Sequence, residues 1–292
     1  MDKIFDIIDN IKNEPLSKHT TMRVGGMAKY VFMPKNADEI KMLVDYCVDN
    51  SIRYIVVGNG SNLIFMDEGF DGFVILLSGN MNNILIDNTK IEVMAGANLS
   101  KIANLAKDNS LTGMEFAAGI PGTLGGAIVM NAGAYGGEMR DIVESVDVLE
   151  KDGTIKTYAN SDMDFSYRHS IIDDSKIVIS AVLKLEKGDK TSIVSTMEDL
   201  KNRRISKQPL EYPSSGSTFK RPEGYFAGKL IEDAGLKGYR VGGACVSTKH
   251  CGFVVNDNNA STKDVLNVID DVRRIVFEKF NVMLEPEVKI IK

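Results

Sequence analysis

The stretch Val56–Phe65, VVGNGSNLIF, follows the apolar run IRYI without a break. Gly58 and Gly60 with the polar residues around them make half of a dinucleotide-binding fingerprint. Glycine tolerates a positive φ and lets a backbone approach a ligand with no Cβ in the way. Successive N–H groups in such a turn form a nest suited to a pyrophosphate, and here Asn59, Ser61 and Asn62 add side-chain polar groups. Leu63 stands where the third glycine of the fingerprint belongs, and the following LIFMDEGFDG has no helical period. A Rossmann unit needs that glycine for helix–strand packing and then a helix. The stretch therefore reads either as a tight structural turn or as a phosphate loop of another kind.

A second segment, GIPGTLGG at Gly119–Gly126, repeats the device with Gly119, Ile120, Pro121, Gly122, Gly125 and Gly126, and Thr123 as a donor. Two such loops, each after an apolar segment, point to a long anionic ligand gripped from both sides, with the length of a dinucleotide. A glycine-rich crossover filling a gap in the core is the plain alternative, although a buried loop must still satisfy its backbone groups. The surrounding GMEFAAGIPGTLGGAIVMNAGAYGGEM is too dense in glycine for a long helix or a paired strand. Its Ile, Val, Met and Phe predict a packed segment.

Outward from these loops the chain alternates in type. Ile4, Ile7, Ile8 and Ile11 predict a short N-terminal helix. NADEIKMLVDYCVDN predicts a second, capped by Asn36 with Glu39 three residues on, and buried along Ile40, Leu43, Val44 and Cys47. Strands are expected at Arg53–Val57, Phe73–Leu77 and on either side of Asn88, with a helix over LSKIANLAKDN. IVESVDVLEKDGTIKTY reads as a hairpin turning at Asp152-Gly153. A helix from about Lys190 ends in MEDLKNRRISKQP, with a domain boundary near Gln208-Pro209. Helix (GYFAGKLIEDAGL), strand (ACVSTKHCGFVVN), helix (TKDVLNVIDDVRRIVFEKF) and a last strand (EVKII) follow.

At 292 residues the chain is long enough for two or three packed units. Its net charge of -5 argues against a general nucleic-acid binder. Its apolar runs are strand-length, too short to cross a bilayer, and acidic residues interrupt MDKIFDIIDNIK where a signal peptide would be apolar. Cys47, Cys245 and Cys251 lack CxxC spacing and fit free thiols in a reducing cytoplasm. With three histidines and no close His/Cys group, no metal site is expected.

Three further motifs can carry chemistry. In YPSSGSTFKRP, Ser217 follows a glycine and precedes Lys220-Arg221, cations able to meet phosphate or carboxylate. No acid–histidine pair stands nearby, so Ser217 reads as a proton donor or hydrogen-bonding group, or as part of a capped turn. FSYRHS holds Tyr167 and Arg168, and LEPEVKII holds Glu287 at the start of the last strand. Residue type and spacing alone do not pair these with one another.

Together these motifs resemble one family. HTTMRVGGMAKY, VVGNGSNLIF, EFAAGIPGTLGGAIVMNAGAYGGEM, SYRHS, GSTFKRP, AGLKGYRVGGACVSTKHCGFVVN and LEPEVKII occur in the order found in UDP-N-acetylenolpyruvoylglucosamine reductases, flavoenzymes of peptidoglycan precursor synthesis, and span nearly the whole chain. The length is similar to a compact subtype without the inserted loop that carries a substrate-capping tyrosine. The resemblance implies an α+β fold: a two-subdomain FAD-binding module like that of vanillyl-alcohol oxidase relatives (1–78, with strand 284–292 near the site, and 79–207) and a substrate domain at 208–283. It implies non-covalent FAD held by Gly58, Asn59, Gly60, Ser61, Asn62, Gly119, Ile120, Pro121, Gly122, Gly125 and Gly126. NADPH would be a transient hydride donor and UDP-N-acetylglucosamine enolpyruvate the acceptor, in a cytoplasmic monomer. Ser217 would protonate the substrate carbon, while Arg168 and Glu287 stabilise the charge that precedes protonation. Tyr167, Asn131, Lys220 and Lys237 would contact substrate, with Arg203 and Lys207 as weaker diphosphate candidates.

Overall fold

A computed structural model describes residues 3–292 of the chain. Asn36 starts the first long helix: its side chain accepts the Glu39 N–H at 2.9 Å, and the Glu39 carboxylate accepts the Lys35 N–H at 2.8 Å. The helix, Ala37–Asp49, buries the expected Ile40, Leu43, Val44 and Cys47. The N-terminal helix is shorter than its isoleucine spacing predicts. It spans Ile4–Ile7, and Ile11 lies in a strand, Asn10–Pro15. Ile4 and Ile8 are buried while Ile7 is exposed, so the helical spacing ran past a single turn into extended chain.

By contact density the chain divides into two units: one of the residues up to Lys12, Tyr30–Asn59 and Gly72–Arg204, the other of Asn13–Lys29, Gly60–Asp71 and Ile205–Lys292. Each unit gathers segments that lie far apart in sequence. Distant pairing explains the second unit, because Lys289–Ile291 lies parallel to Leu63–Phe65.

The first unit is built on a five-stranded antiparallel sheet in the order Ile155–Ala159, Val143–Leu149, Ile177–Lys184, Lys90–Met94, Ile84–Asp87. The expected turns close two of its hairpins: Gly153 has φ 79° and Asn88 has φ 53°. Tyr54–Val57 pairs in parallel with Phe73–Leu76 of the longer strand Phe70–Leu76. There Phe5, Tyr30, Phe32, Tyr46 and Phe73 form an aromatic cluster, with Phe32 and Phe73 centroids 4.7 Å apart. Helices Leu99–Asp108 and Lys190–Lys207 occupy the expected positions. The glycine-rich middle is packed, but it is not without regular structure. Leu124–Val129 is a one-and-a-half-turn helix, and Gly133–Ala134 pairs with Gly137–Glu138.

In the second unit, helices Ala227–Asp233 and Thr262–Phe280 share an apolar core with a three-stranded sheet, Arg240–Val241, Ala244–Val246, Val254–Asn256. ACVSTKHCGFVVN is thus two strands and not one. The Ser247 hydroxyl accepts the N–H groups of Lys249 and His250 and turns the chain between them. Ser261 and Asp264 form a reciprocal cap on the long helix. The Asp67 carboxylate accepts the Thr262 and Lys263 N–H groups at 2.8 and 3.1 Å.

The N–H groups of Ser261 and Gly243 hold the Asp264 carboxyl below its ordinary value, and Arg240 does the same to Asp257. A carboxyl depressed by folding adds stability above its unfolded value, near pH 4, and loses it as pH falls through the folded value. The thermal midpoint is therefore expected to decline below about pH 4, more shallowly in Asp264→Asn. Ser261→Ala is expected to lose about 1 kcal/mol in urea unfolding.

Candidate active site

Within the first unit the two glycine loops meet. Asn59 Nδ2 donates to Asn98 Oδ1 at 2.7 Å and to the Pro121 carbonyl at 3.4 Å, and Asn59 Oδ1 accepts from Ser78 Oγ at 2.7 Å. A Cβ on Gly58 would collide with Thr123 Oγ1, so a larger residue there would push the loops apart. Gly125 N–H donates to the Ala95 carbonyl at 2.8 Å, and a Cβ on Gly125 would stand 3.0 Å from Ala95 Cβ. The short helix after Thr123 is thereby laid directly on the end of its neighbouring strand. Ile120 is half-buried and bonds back to the Ala117 carbonyl.

The same closure leaves donors over. Among the described residues of this unit, the N–H groups of Gly119, Gly122, Thr123 and Gly126 meet no protein acceptor. Such a cluster on a preformed loop fits the diphosphate of a dinucleotide such as FAD. Arg204, which sequence reasoning passed over in favour of Arg203, lies against the loop: a Cβ on Gly119 would be 2.7 Å from its Nη1. Burial pulls the Arg204 guanidinium below the ordinary arginine range, and Tyr135 acts the other way. Its only sequence signal is its place in NRRISKQP, where two arginines are adjacent.

Tyr167 and Arg168 occupy the corners of a two-residue turn. Ser166 N–H donates to the His169 carbonyl at 3.2 Å and His169 N–H to the Ser166 carbonyl at 3.1 Å. Arg168 has φ 58°, a left-handed conformation that a type II turn demands at this corner and that glycine adopts most easily. Its guanidinium carbon sits 5.0 Å from the Tyr167 ring centroid. Asn131 is fully buried behind this turn: Nδ2 donates to the Ser166 carbonyl at 3.1 Å and Oδ1 accepts the Arg140 N–H at 2.9 Å. Its side chain anchors the turn from the protein side.

In the second unit Ser217 lies on a ribbon stitched along both edges. On one edge Thr218 N–H donates to the Gly252 carbonyl at 2.9 Å and Thr218 Oγ1 accepts the Val254 N–H at 3.0 Å. On the other, Glu287 N–H donates to the Thr218 carbonyl at 2.8 Å and Lys220 N–H to the Glu285 carbonyl at 2.9 Å. Ser215, Thr218 and Phe219 are buried, yet Ser217 is exposed. Asn62 fixes the acid from behind, donating through Nδ2 to the Glu287 carbonyl at 3.1 Å and accepting the Lys289 N–H at 2.9 Å. Gly60 has φ 59°, and a Cβ there would collide with the His19 carbonyl; Ser61 beside it is half-buried. Thr21, whose N–H donates to the Gly60 carbonyl, has a buried hydroxyl with no partner among the described residues. Thr21 lies within HTTMRVGGMAKY, where nothing in its residue type sets it apart from Thr20. Lys220 Nζ pairs with Glu285 at 2.5 Å, and Lys237 with Glu232 at 3.6 Å. The second unit thus brings Ser217, Lys220, Asn62 and Glu287 together, while Arg168, Tyr167 and Asn131 belong to the first.

Residues 208–291 match the family model for the C-terminal domain of UDP-N-acetylenolpyruvoylglucosamine reductase, and residues 28–159 match that of an FAD binding domain. The chain is 51% identical to UDP-N-acetylenolpyruvoylglucosamine reductase of Caldanaerobacter subterraneus subsp. tengcongensis, covering 100% of this chain and 97% of that one. It is 50% identical to the protein of that name in Clostridioides difficile, over 96% and 92% of the two chains. The crystal structure of UDP-N-acetylenolpyruvylglucosamine reductase (MurB) from Thermus caldophilus superimposes with a TM-score of 0.84 at 36% identity, covering 98% of this chain and 99% of that one. Motif order, the packing of both glycine loops and near-complete coverage agree: the chain belongs to the UDP-N-acetylenolpyruvoylglucosamine reductase family.

Proposed function

We propose that this FAD-dependent oxidoreductase reduces the enolpyruvyl ether of UDP-N-acetylglucosamine to UDP-N-acetylmuramate with NADPH as donor. The observation that carries the reading is the stitched ribbon. It holds one exposed serine, Ser217, beside Glu287, an acid from the far end of the chain. The segments 1–78, with strand 284–292 near the site, and 79–207 serve as two flavin-binding parts, and 208–283 as a substrate-binding part. The buried free thiols Cys47, Cys245 and Cys251 fit a reducing, cytoplasmic setting, and the enzyme acts as a monomer.

When bound, FAD would supply the two-electron hydride chemistry that links NADPH to the methylene carbon of the enolpyruvyl group. The electron pair of the double bond moves to the adjacent carbon and its carboxylate. Ser217 Oγ donates its proton to that carbon, and the resulting alkoxide is reprotonated from solvent. A serine is a poor acid in water, so it needs a strongly basic acceptor held at contact distance, and the doubly bonded ribbon gives it a fixed position. The Arg168 cation stabilises charge that develops on the carboxylate only as hydride arrives. Glu287 assists that anion as a hydrogen-bond donor in its protonated form. Asn131 and Asn62 position: one anchors the Arg168 turn, the other the backbone of Glu287. The open N–H groups of Gly119, Gly122, Thr123 and Gly126, with Asn59, Ile120, Pro121 and Gly125 shaping the loop, receive the FAD diphosphate. Gly58, Gly60 and Ser61 let the backbone approach it.

In Ser217→Ala, stopped-flow absorbance of the flavin is expected to show reduction by NADPH at the wild-type rate. Reoxidation by the enolpyruvyl substrate should slow at least a hundredfold, at the lower bound of about 10² for a lost general acid. Equal loss of both half-reactions would contradict the assignment. Arg168→Gly should separate stability from activity. Relief of the left-handed backbone is worth up to about 1 kcal/mol in denaturant unfolding, while substrate-driven reoxidation falls about a hundredfold or more. A destabilised variant with normal reoxidation would assign Arg168 to structure alone.

A further inference from the structure

After Lys220 and Arg221 the chain turns at Gly224, φ 74°, where the Tyr225 N–H donates to the Pro222 carbonyl at 3.1 Å. The turn delivers Phe226, in extended backbone, to the residue before helix Ala227–Asp233, where it makes no side-chain cap hydrogen bond. Short polar residues are favoured at that position, and Phe is not. Phe226 nevertheless leaves 62% of its surface in water, and Tyr225 beside it 48%. Single exposed apolar side chains are ordinary. This one is distinguished by its backing: the Arg221 guanidinium carbon lies 4.1 Å from the ring centroid. One face of the ring is covered by a cation and the other is open.

The ring is also tied to the ribbon that carries Ser217. A Cβ on Gly228 would lie 3.2 Å from Gly252 N, and the Gly252 carbonyl accepts the Thr218 N–H at 2.9 Å. The His250 ring lies against both glycines, and its Nδ1 accepts the Gly252 N–H at 3.1 Å. The start of the helix is thus one glycine contact from the residue after Ser217. Along the chain the order is Ser217, then the cations Lys220 and Arg221, then the rings Tyr225 and Phe226. A UDP-sugar presents the same order of chemistry: the reacting group on the sugar, the diphosphate, the base.

We propose that Phe226, backed by Arg221, is the platform on which the uracil of the UDP-sugar stacks; this rests on the substrate class proposed above. Aromatic rings reinforced by arginine hold bases through their π faces, and a stacked base loses about five- to hundredfold in affinity when its ring is removed.

The test uses the FAD-loaded full chain. Phe226→Ala should raise KM for the enolpyruvyl substrate about tenfold. It should weaken binding of UDP, followed by calorimetry, by a similar factor, with flavin reduction by NADPH unchanged. Phe226→Tyr, which keeps a π face, should restore both values to within about twofold. An unchanged KM and unchanged UDP affinity in Phe226→Ala would overturn the platform. So would a dimer seen by sedimentation that Phe226→Ala dissociates while UDP affinity stays the same, since the ring would then be a subunit contact. If the wild-type protein turned over no enolpyruvyl ether, the substrate reading would fail separately. UDP calorimetry on the variants would still decide the stacking, by loss or retention of affinity in Phe226→Ala.

Discussion

The antiparallel pairing of Thr218–Lys220 with Glu285–Glu287 is the constraint on which the chemistry proposed for the second unit depends. Two backbone hydrogen bonds, Glu287 N–H to Thr218 and Lys220 N–H to Glu285, set the register between a serine and an acid that are remote in sequence. In paired extended chain a slip of one residue turns every side chain to the opposite face. Here the slip is resisted twice. Lys289–Ile291 is paired with Leu63–Phe65, and the Asn62 amide holds the Glu287 carbonyl. The loop that opened the reading of the sequence is, at its Asn62 end, part of the brace for the acid.

The first unit solves a parallel problem with glycine. The Gly58 and Thr123 contact and the Asn59 bond to the Pro121 carbonyl tie the two loops to each other, while Asn98 and Ser78 hold the Asn59 amide in place. A preformed loop with open N–H groups meets an anion without reorganising, which is the condition for strong recognition of a diphosphate. The backing of that loop by the half-buried Arg204 adds positive charge at the same place. Membership of the reductase family and the FAD binding domain match agree with a dinucleotide as the occupant.

What could be read directly from residue order was local. The Asn36 cap, the stripe of Ile40, Leu43, Val44 and Cys47, and the Asp152-Gly153 turn each depend on neighbours within a few residues, and each is found where the pattern places it. The strands Asn10–Pro15, Met27–Phe32 and Leu63–Phe65 carry no comparable signal, because their partners are distant and NIKNEP does not alternate. Motif resemblance singled out Asn59, Asn62 and Asn131 for ligand or substrate. The structure engages all three amides with protein groups, a fact of geometry that no spacing rule expresses. Arg204 carries no motif signal, and only its place against Gly119 marks it; Thr21 lies within HTTMRVGGMAKY, but its buried hydroxyl without a partner among the described residues is a fact of packing.

A proton donor fixed by the ribbon must reach the substrate on one side only. Nuclear magnetic resonance of the product formed in D₂O tests it at the reacting carbon. Deuterium is expected on the carbon bonded to the ether oxygen, in a single configuration. Deuterium distributed over both configurations at that carbon would mean protonation from free solvent, and would contradict it.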